Sequence, residues 1–169
     1  NGFYAMLPKP DDSFDGALQD NDLQFHLSLS SIQRGTRQAE TETWSASTWS
    51  DLRSINYYLE HSVKCTNEDV RKKYDGIAYF FRAVFYYEKV RKYGDIPFYD
   101  HVISDSDKES LYRPRDSRGF VMQKIMEDLD RAIDGLPVSW SEGVYRINKY
   151  AAYALKSRIA LFEGTWRKY

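Results

Sequence analysis

Between residues 34 and 49 the chain reads "RGTRQAETETWSASTW", which places two guanidinium groups, Arg34 and Arg37, and two indoles, Trp44 and Trp49, in one polar stretch. None of these side chains makes or breaks covalent bonds readily. A flat ring stacks against the apolar face of a sugar or a partner protein, and a guanidinium donates hydrogen bonds in fixed directions. Burying such a polar stretch would be hard to explain, so its rings are expected to face a ligand. Trp44 is the stronger candidate, because Trp49 stands at a helix start and serves a core equally well.

The remaining reactive residue types are sparse. His26, His61 and His101 form no His-x-x-x-His pair, and the lone Cys65 rules out an internal disulfide or a multi-thiolate zinc site. Cys65 is read as a small, half-buried residue. In "DDSFDGALQDND", Asp11, Ser13, Asp15, Gly16 and Asp22 approach the spacing of a calcium loop. Asp22 is shorter than the usual bidentate Glu, and Pro8 and Pro10 oppose an entering helix, so an acidic solvated turn is expected. No metal or cofactor is therefore assigned. Glu127 and Asp128 are adjacent and Asp128 and Asp130 point to different helix faces, which gives no facing carboxylate pair for glycosidic cleavage. The chain is expected not to be an enzyme.

A net charge of -1 with 29% charged residues shows no basic excess, so no nucleic-acid partner is expected. No apolar run approaches the roughly 18 to 20 residues of a membrane span. The opening "NGFYAMLPKP" has neither a basic region nor a cleavable apolar segment. Aromatics are the unusual component: 14 Tyr, 9 Phe and 4 Trp make up 16% of the residues, more than recognition alone would use. Most of these rings must pack helices.

Four helices follow from periodicity. Trp49, Leu52, Ile55, Tyr58, Leu59 and Val63 share one helical face. Asn67 caps a longer helix reaching Tyr93, with Tyr74, Ile77, Phe81, Val84, Phe85 and Val90 at three- and four-residue intervals. Gly94 is expected to close it in the left-handed conformation, and Pro97 cannot continue it. "VISDSDKES" reads as a polar connector. A third helix runs from about Ser117 to Gly135, its stripe formed by Met122, Ile125, Met126, Leu129, Ala132, Ile133 and Leu136. The fourth follows Asn148, with Ala151, Ala152, Leu155, Ile159 and Phe162 inward; Ala151, Ala152, Ala154 and Ala160 are expected to admit the rings of the second helix. The fold is all-α: residues 49–169 form helical hairpins of tetratricopeptide type without a strict 34-residue repeat, preceded by a helix end and long irregular loop over residues 1–48.

Four stretches, in order, carry a family resemblance. "YDGIAYFFRAVFYYEKVRKYGDIPFYD" (residues 74–100) resembles the helix-and-turn segment of the SusD/RagB outer-membrane nutrient-binding lipoproteins, through Ala78, Phe80, Arg82, Ala83, Tyr86, Val90 and the run Tyr93 to Pro97. "WSDLRSINYYLE" is similar to the preceding helix, "RPRDSRGFVMQKIMEDLDRAIDGLP" to the third and "YRINKYAAYALKSRIALFEGTW" to the alanine-rich fourth. Family members often carry an acidic residue where this chain has Ile77. They are also several times longer and begin with a lipoprotein signal and an acylated cysteine, so the chain is read as an N-terminal part of such a protein. The resemblance implies capture of oligo- or polysaccharide at the cell surface and its delivery to a SusC-like TonB-dependent transporter. It implies contact with the membrane only through a lipid anchor absent from this chain. A peptide-binding RagB-type role, or a helical scaffold without direct ligand binding, remain the alternatives. Under the resemblance Trp44, Trp49, Arg34 and Arg37 become candidate glycan contacts, while Arg82 and Asp95 are expected to belong to a structural network.

Overall fold

The computed structural model describes residues 2–7, 34–36, 44, 46–141 and 146–169. The chain divides into two compact units, residues 1–50 and 51–169. In the first, the described elements are two short 3-10 turns, Gly2–Met6 and Ala46–Trp49. The acidic stretch from Asp11 to Asp22 lies outside the described residues.

Five helices follow: α1 (Ser50–Ser62), α2 (Glu68–Tyr93), α3 (Lys108–Leu111), α4 (Arg118–Gly135) and α5 (Lys149–Lys168). Local chemistry sets where they start. The side chains of Asn67, Ser117 and Asn148 each accept a hydrogen bond from the backbone N–H three residues on, at 3.0, 3.3 and 3.0 Å, and so satisfy a donor that the first helical turn leaves open. The four-residue α3, inside the stretch read from sequence as a connector, is capped in the same way by Asp107. At the end of α2, Gly94 N donates back to Val90 O at 2.9 Å. Gly94 has φ 72° and ψ -111°, so φ is positive as expected but ψ lies outside the left-handed helical basin, in a region open essentially to glycine alone. The chain then doubles back, and an isolated antiparallel bridge between Ile96 and Asp116 closes the loop that carries α3.

Helix α2 packs against α4, and α4 against α5. Both pairs are antiparallel: Gly76 near the start of α2 meets Gly135 at the end of α4, and Arg118 at the start of α4 meets Glu163 near the end of α5. The first contact is between backbones. A Cβ added to Gly135 would stand 2.5 Å from the carbonyl oxygen of Lys72, so only glycine permits the approach.

Phe81, Tyr86, Ile55, Ile125, Leu129 and Ile159 are fully buried, each contributing about 1.5–3 kcal/mol if removed from water completely. Rings join neighbouring elements, with Tyr86 against Phe98 at 4.5 Å and Tyr87 edge-on to Phe162 at 5.5 Å. Four apolar positions assigned inward from sequence face outward instead: Val63, which follows the last residue of α1, Tyr74 on α2, and Ala154 and Ala160 on α5. Only part of the alanine surface of α5 is therefore used against its neighbours. Cys65 is exposed rather than half-buried, because it sits in the turn between α1 and α2.

Candidate functional site

Arginine and aromatic residues meet in two very different settings. The first is a buried polar centre in residues 51–169. Arg82 lies on the inner face of α2, where an isolated charge would be costly, and Asp128 on α4 answers it with two hydrogen bonds of 2.7 Å, from Nε to Oδ2 and from Nη2 to Oδ1. Both side chains are almost fully buried, at 3% and 2% exposure. Burial alone would lower the guanidinium pKa, but the hydrogen bond and charge of Asp128 outweigh it and raise the value above its ordinary range.

The remaining Arg82 nitrogen, Nη1, donates to Asn56 Oδ1 at 3.2 Å and to the carbonyl of Asp100 at 3.4 Å. Asn56 in turn donates from Nδ2 to the carbonyls of Tyr99 and His101, both at 3.0 Å. The Tyr86 hydroxyl accepts from Tyr99 N at 2.7 Å and donates to Tyr99 O at 3.1 Å. One cation thus connects α1, α2, α4 and the chain after the Gly94 turn. Asp95 has a structural contact of its own: its Oδ1 accepts from Arg118 N at 2.7 Å and fixes the start of α4. Asp128 is consumed by this pairing, whereas Asp130 is exposed and pairs with Lys156 on α5. The two carboxylates do not converge on a common reacting centre.

The second setting is the sequence-selected group in residues 1–50. Trp44 is 38% exposed and Trp49 is half-buried, and their rings meet edge to face with centroids 5.0 Å apart and planes at 70°. This contact holds two indoles at a steep angle, so a flat ligand laid on one indole would meet the edge or face of the other. Arg34 is exposed in a turn with Gly35, whose φ of 65° suits glycine. Arg34 makes no ion pair or ring contact with the indoles among the described residues, and Arg37 lies outside those residues. Of the four candidates, two are therefore brought together.

The geometry can be compared with known proteins. Residues 16–161 match the model of the SusD-like family described as "Starch-binding associating with outer membrane". A SusD-like protein of Bacteroides fragilis superposes with a TM-score of 0.80 at 28% identity, covering 99% of this chain and 34% of that one. A laminarin-binding SusD-like protein gives a TM-score of 0.67 at 20% identity, over 80% of this chain and 30% of the other. For surface glycan-binding protein A from Bacteroides uniformis the TM-score is 0.60 at 20% identity, covering 70% of this chain and 27% of its partner. These last two likenesses concern the fold. No curated protein matches the chain. The chain spans about a third of the length of the first of these structures and less of the other two. With the family model covering most of its residues and the helical order Trp49 to Trp166 reproduced in the fold, the chain belongs to the SusD-like family.

Proposed function

We propose that the protein captures an oligo- or polysaccharide at the outer-membrane surface and passes it to a TonB-dependent transporter, performing no chemistry on it. The observation that carries this reading is the angled Trp44–Trp49 pair, kept partly open to solvent in a chain of a carbohydrate-binding family. Indoles offer apolar faces to the axial C–H groups of a sugar ring, and the guanidiniums of Arg34 and Arg37 supply planar donors to its hydroxyls. Two relatives of the same fold bear glycan-binding names, one of them for laminarin, which supports a glucan as a first ligand to try. Attachment through a lipid anchor and docking on a SusC-like partner belong to the same proposal.

Affinity electrophoresis of the intact protein through gels containing plant, host or microbial polysaccharides tests it. Retardation by at least one polysaccharide, with no new reducing ends after prolonged incubation, is the expected result. Trp44→Ala should weaken that retardation by about tenfold or more, the scale of losing one aromatic anchor from a small site. Release of reducing ends would make the protein an enzyme. Retention by no glycan, together with binding to a peptide mixture, would favour the peptide-binding alternative.

A further inference from the structure

Within residues 51–169, a cavity of about 310 Å³ opens between the first half of α2 and the end of α4. Gly76 and Gly135, whose backbones touch, line it together with charged residues of both helices. Its charged lining is balanced: Arg71, Lys72 and Arg131 against Glu68, Asp75 and Asp134. Several of these groups have unused hydrogen-bonding capacity. Lys72 and Asp134 make no ion pair or side-chain hydrogen bond among the described residues. Arg71 reaches Glu68 only at 3.8 Å, and Arg131 reaches the already paired Asp128 only at 3.8 Å. Asp75 Oδ1 is buried and has no hydrogen-bond partner among the described residues. A buried acceptor without a donor is costly, so the Asp75 carboxylate gains by turning its Oδ1 toward a donor that enters the cavity.

These features restrict the ligand. A rim of zero net charge exerts little pull on a simple anion or cation, but it presents donors and acceptors at close intervals. Adjacent sugar hydroxyls, each able both to donate and to accept, match such a rim. Stacking is not available: the Tyr79 ring on the wall already has the guanidiniums of Arg82 and Arg131 over it, at 5.3 and 5.2 Å from its centroid. The volume lies at the small end of ligand sites, enough for one sugar unit.

We infer that the α2–α4 cavity is a second, polar saccharide subsite, which takes a single sugar unit through hydroxyl contacts with Lys72, Asp75 and Asp134. The inference rests on the glycan-binding reading above. Without a stacking surface its affinity should be low, with a Kd on the order of millimolar.

Amide NMR of the intact protein, titrated with the methyl glycosides of glucose, galactose and mannose, reads the cavity directly through Gly76 and Gly135. Expected are saturable shifts of both glycine signals with at least one glycoside, preserved in Trp44→Ala. The double variant Lys72→Met and Asp134→Asn, which breaks no ion pair among the described residues, should raise the Kd at least about tenfold, the worth of one lost charge-assisted hydrogen bond. Unmoved glycine signals, with the indole N–H signals of Trp44 and Trp49 responding to a retarding oligosaccharide, would overturn the subsite and leave the principal reading intact. Silence at both places would remove both. A stronger response of the same glycines to glycylglycine than to any glycoside would assign the cavity to a zwitterion and overturn the saccharide subsite.

Discussion

Arg82 and the indole pair are built from the same residue classes, and they differ in how much of their surface stays open to solvent. At Arg82 the guanidinium's hydrogen bonds go to Asp128, Asn56 and a backbone carbonyl, and rings of Tyr79 and Phe98 pack nearby. Burial of both Arg82 and Asp128 closes the centre to a ligand. Trp44 and Trp49 touch one another but keep exposed surface, and Arg34 stands in solvent. An arginine among aromatics is therefore no sign of a binding site by itself; the sign is residual capacity after the protein's own contacts are counted.

Stability and binding should separate along this line. The largest stability effect is expected at the polar centre, where Asp128→Ala strands a buried guanidinium and should cost about 3–5 kcal/mol in chemical denaturation. Glycan retention by whatever fraction stays folded should be unchanged. If Asp128→Ala instead left stability within 1 kcal/mol, the centre would not be the keystone its geometry indicates.

Gly135→Ala comes next. Its new methyl would collide with the carbonyl of Lys72, so the helices must part, at a cost of about 1–3 kcal/mol measured as a fall in Tm. The matched control is Gly164→Ala on α5, where an added Cβ meets nothing within 4 Å and helix propensity alone should make the change slightly stabilising.

A smaller, pH-dependent effect is expected at Glu163. Burial would raise its carboxyl pKa, but hydrogen bonds from Arg118 and Arg167 outweigh that and hold it below the usual carboxylate range. A folded-state pKa below the unfolded one adds stability that is complete above the unfolded pKa, about 4.3, and is lost as pH falls through the folded value. Glu163→Gln should therefore remove part of the acid-side slope of Tm, leaving a flatter profile below about pH 5. An unchanged slope would show that the Arg118 pair contributes nothing.

A small stability change is expected for Trp44→Ala, about 0.5–1.5 kcal/mol from the lost edge-to-face contact, while its effect on retention should be the greatest of the set. A fall in Tm with retention intact would place that indole in a core.

How much of this was legible in the sequence follows the range of the interaction. The helix starts at Asn67, Ser117 and Asn148 could be read directly, because a cap joins a side chain to a backbone three residues away. The same rule could have revealed α3, where Asp107 precedes Ser110 by three. The partner of Arg82 could not be read, since Asp128 is 46 residues away and several carboxylates on α4 were equally available. Periodicity marked the inner faces of α2 and α4 well and overreached at Val63, Tyr74, Ala154 and Ala160, because being apolar does not determine whether a neighbour covers the residue. For the candidate site, ring types and short spacing identified Trp44 and Trp49, five residues apart, but their mutual angle depends on the 3-10 turn at Ala46–Trp49. The cavity over Gly76 and Gly135 had no sequence signal beyond two glycines 59 residues apart on separate helices.

The hub at Arg82 also bears on how the molecule opens. Tyr99, Asp100 and His101 lend it their carbonyls through Arg82 and Asn56, so this loop segment cannot peel away while the helices stay docked. Deuterium uptake should register the tie: the amide of Tyr99, held by the Tyr86 hydroxyl, should exchange only as fast as α2 and α4 separate, at a rate set by whole-unit rather than local opening. A surface loop would then share the protection of the deepest helix, and the segment after the glycine turn would behave as one cooperative piece with the bundle.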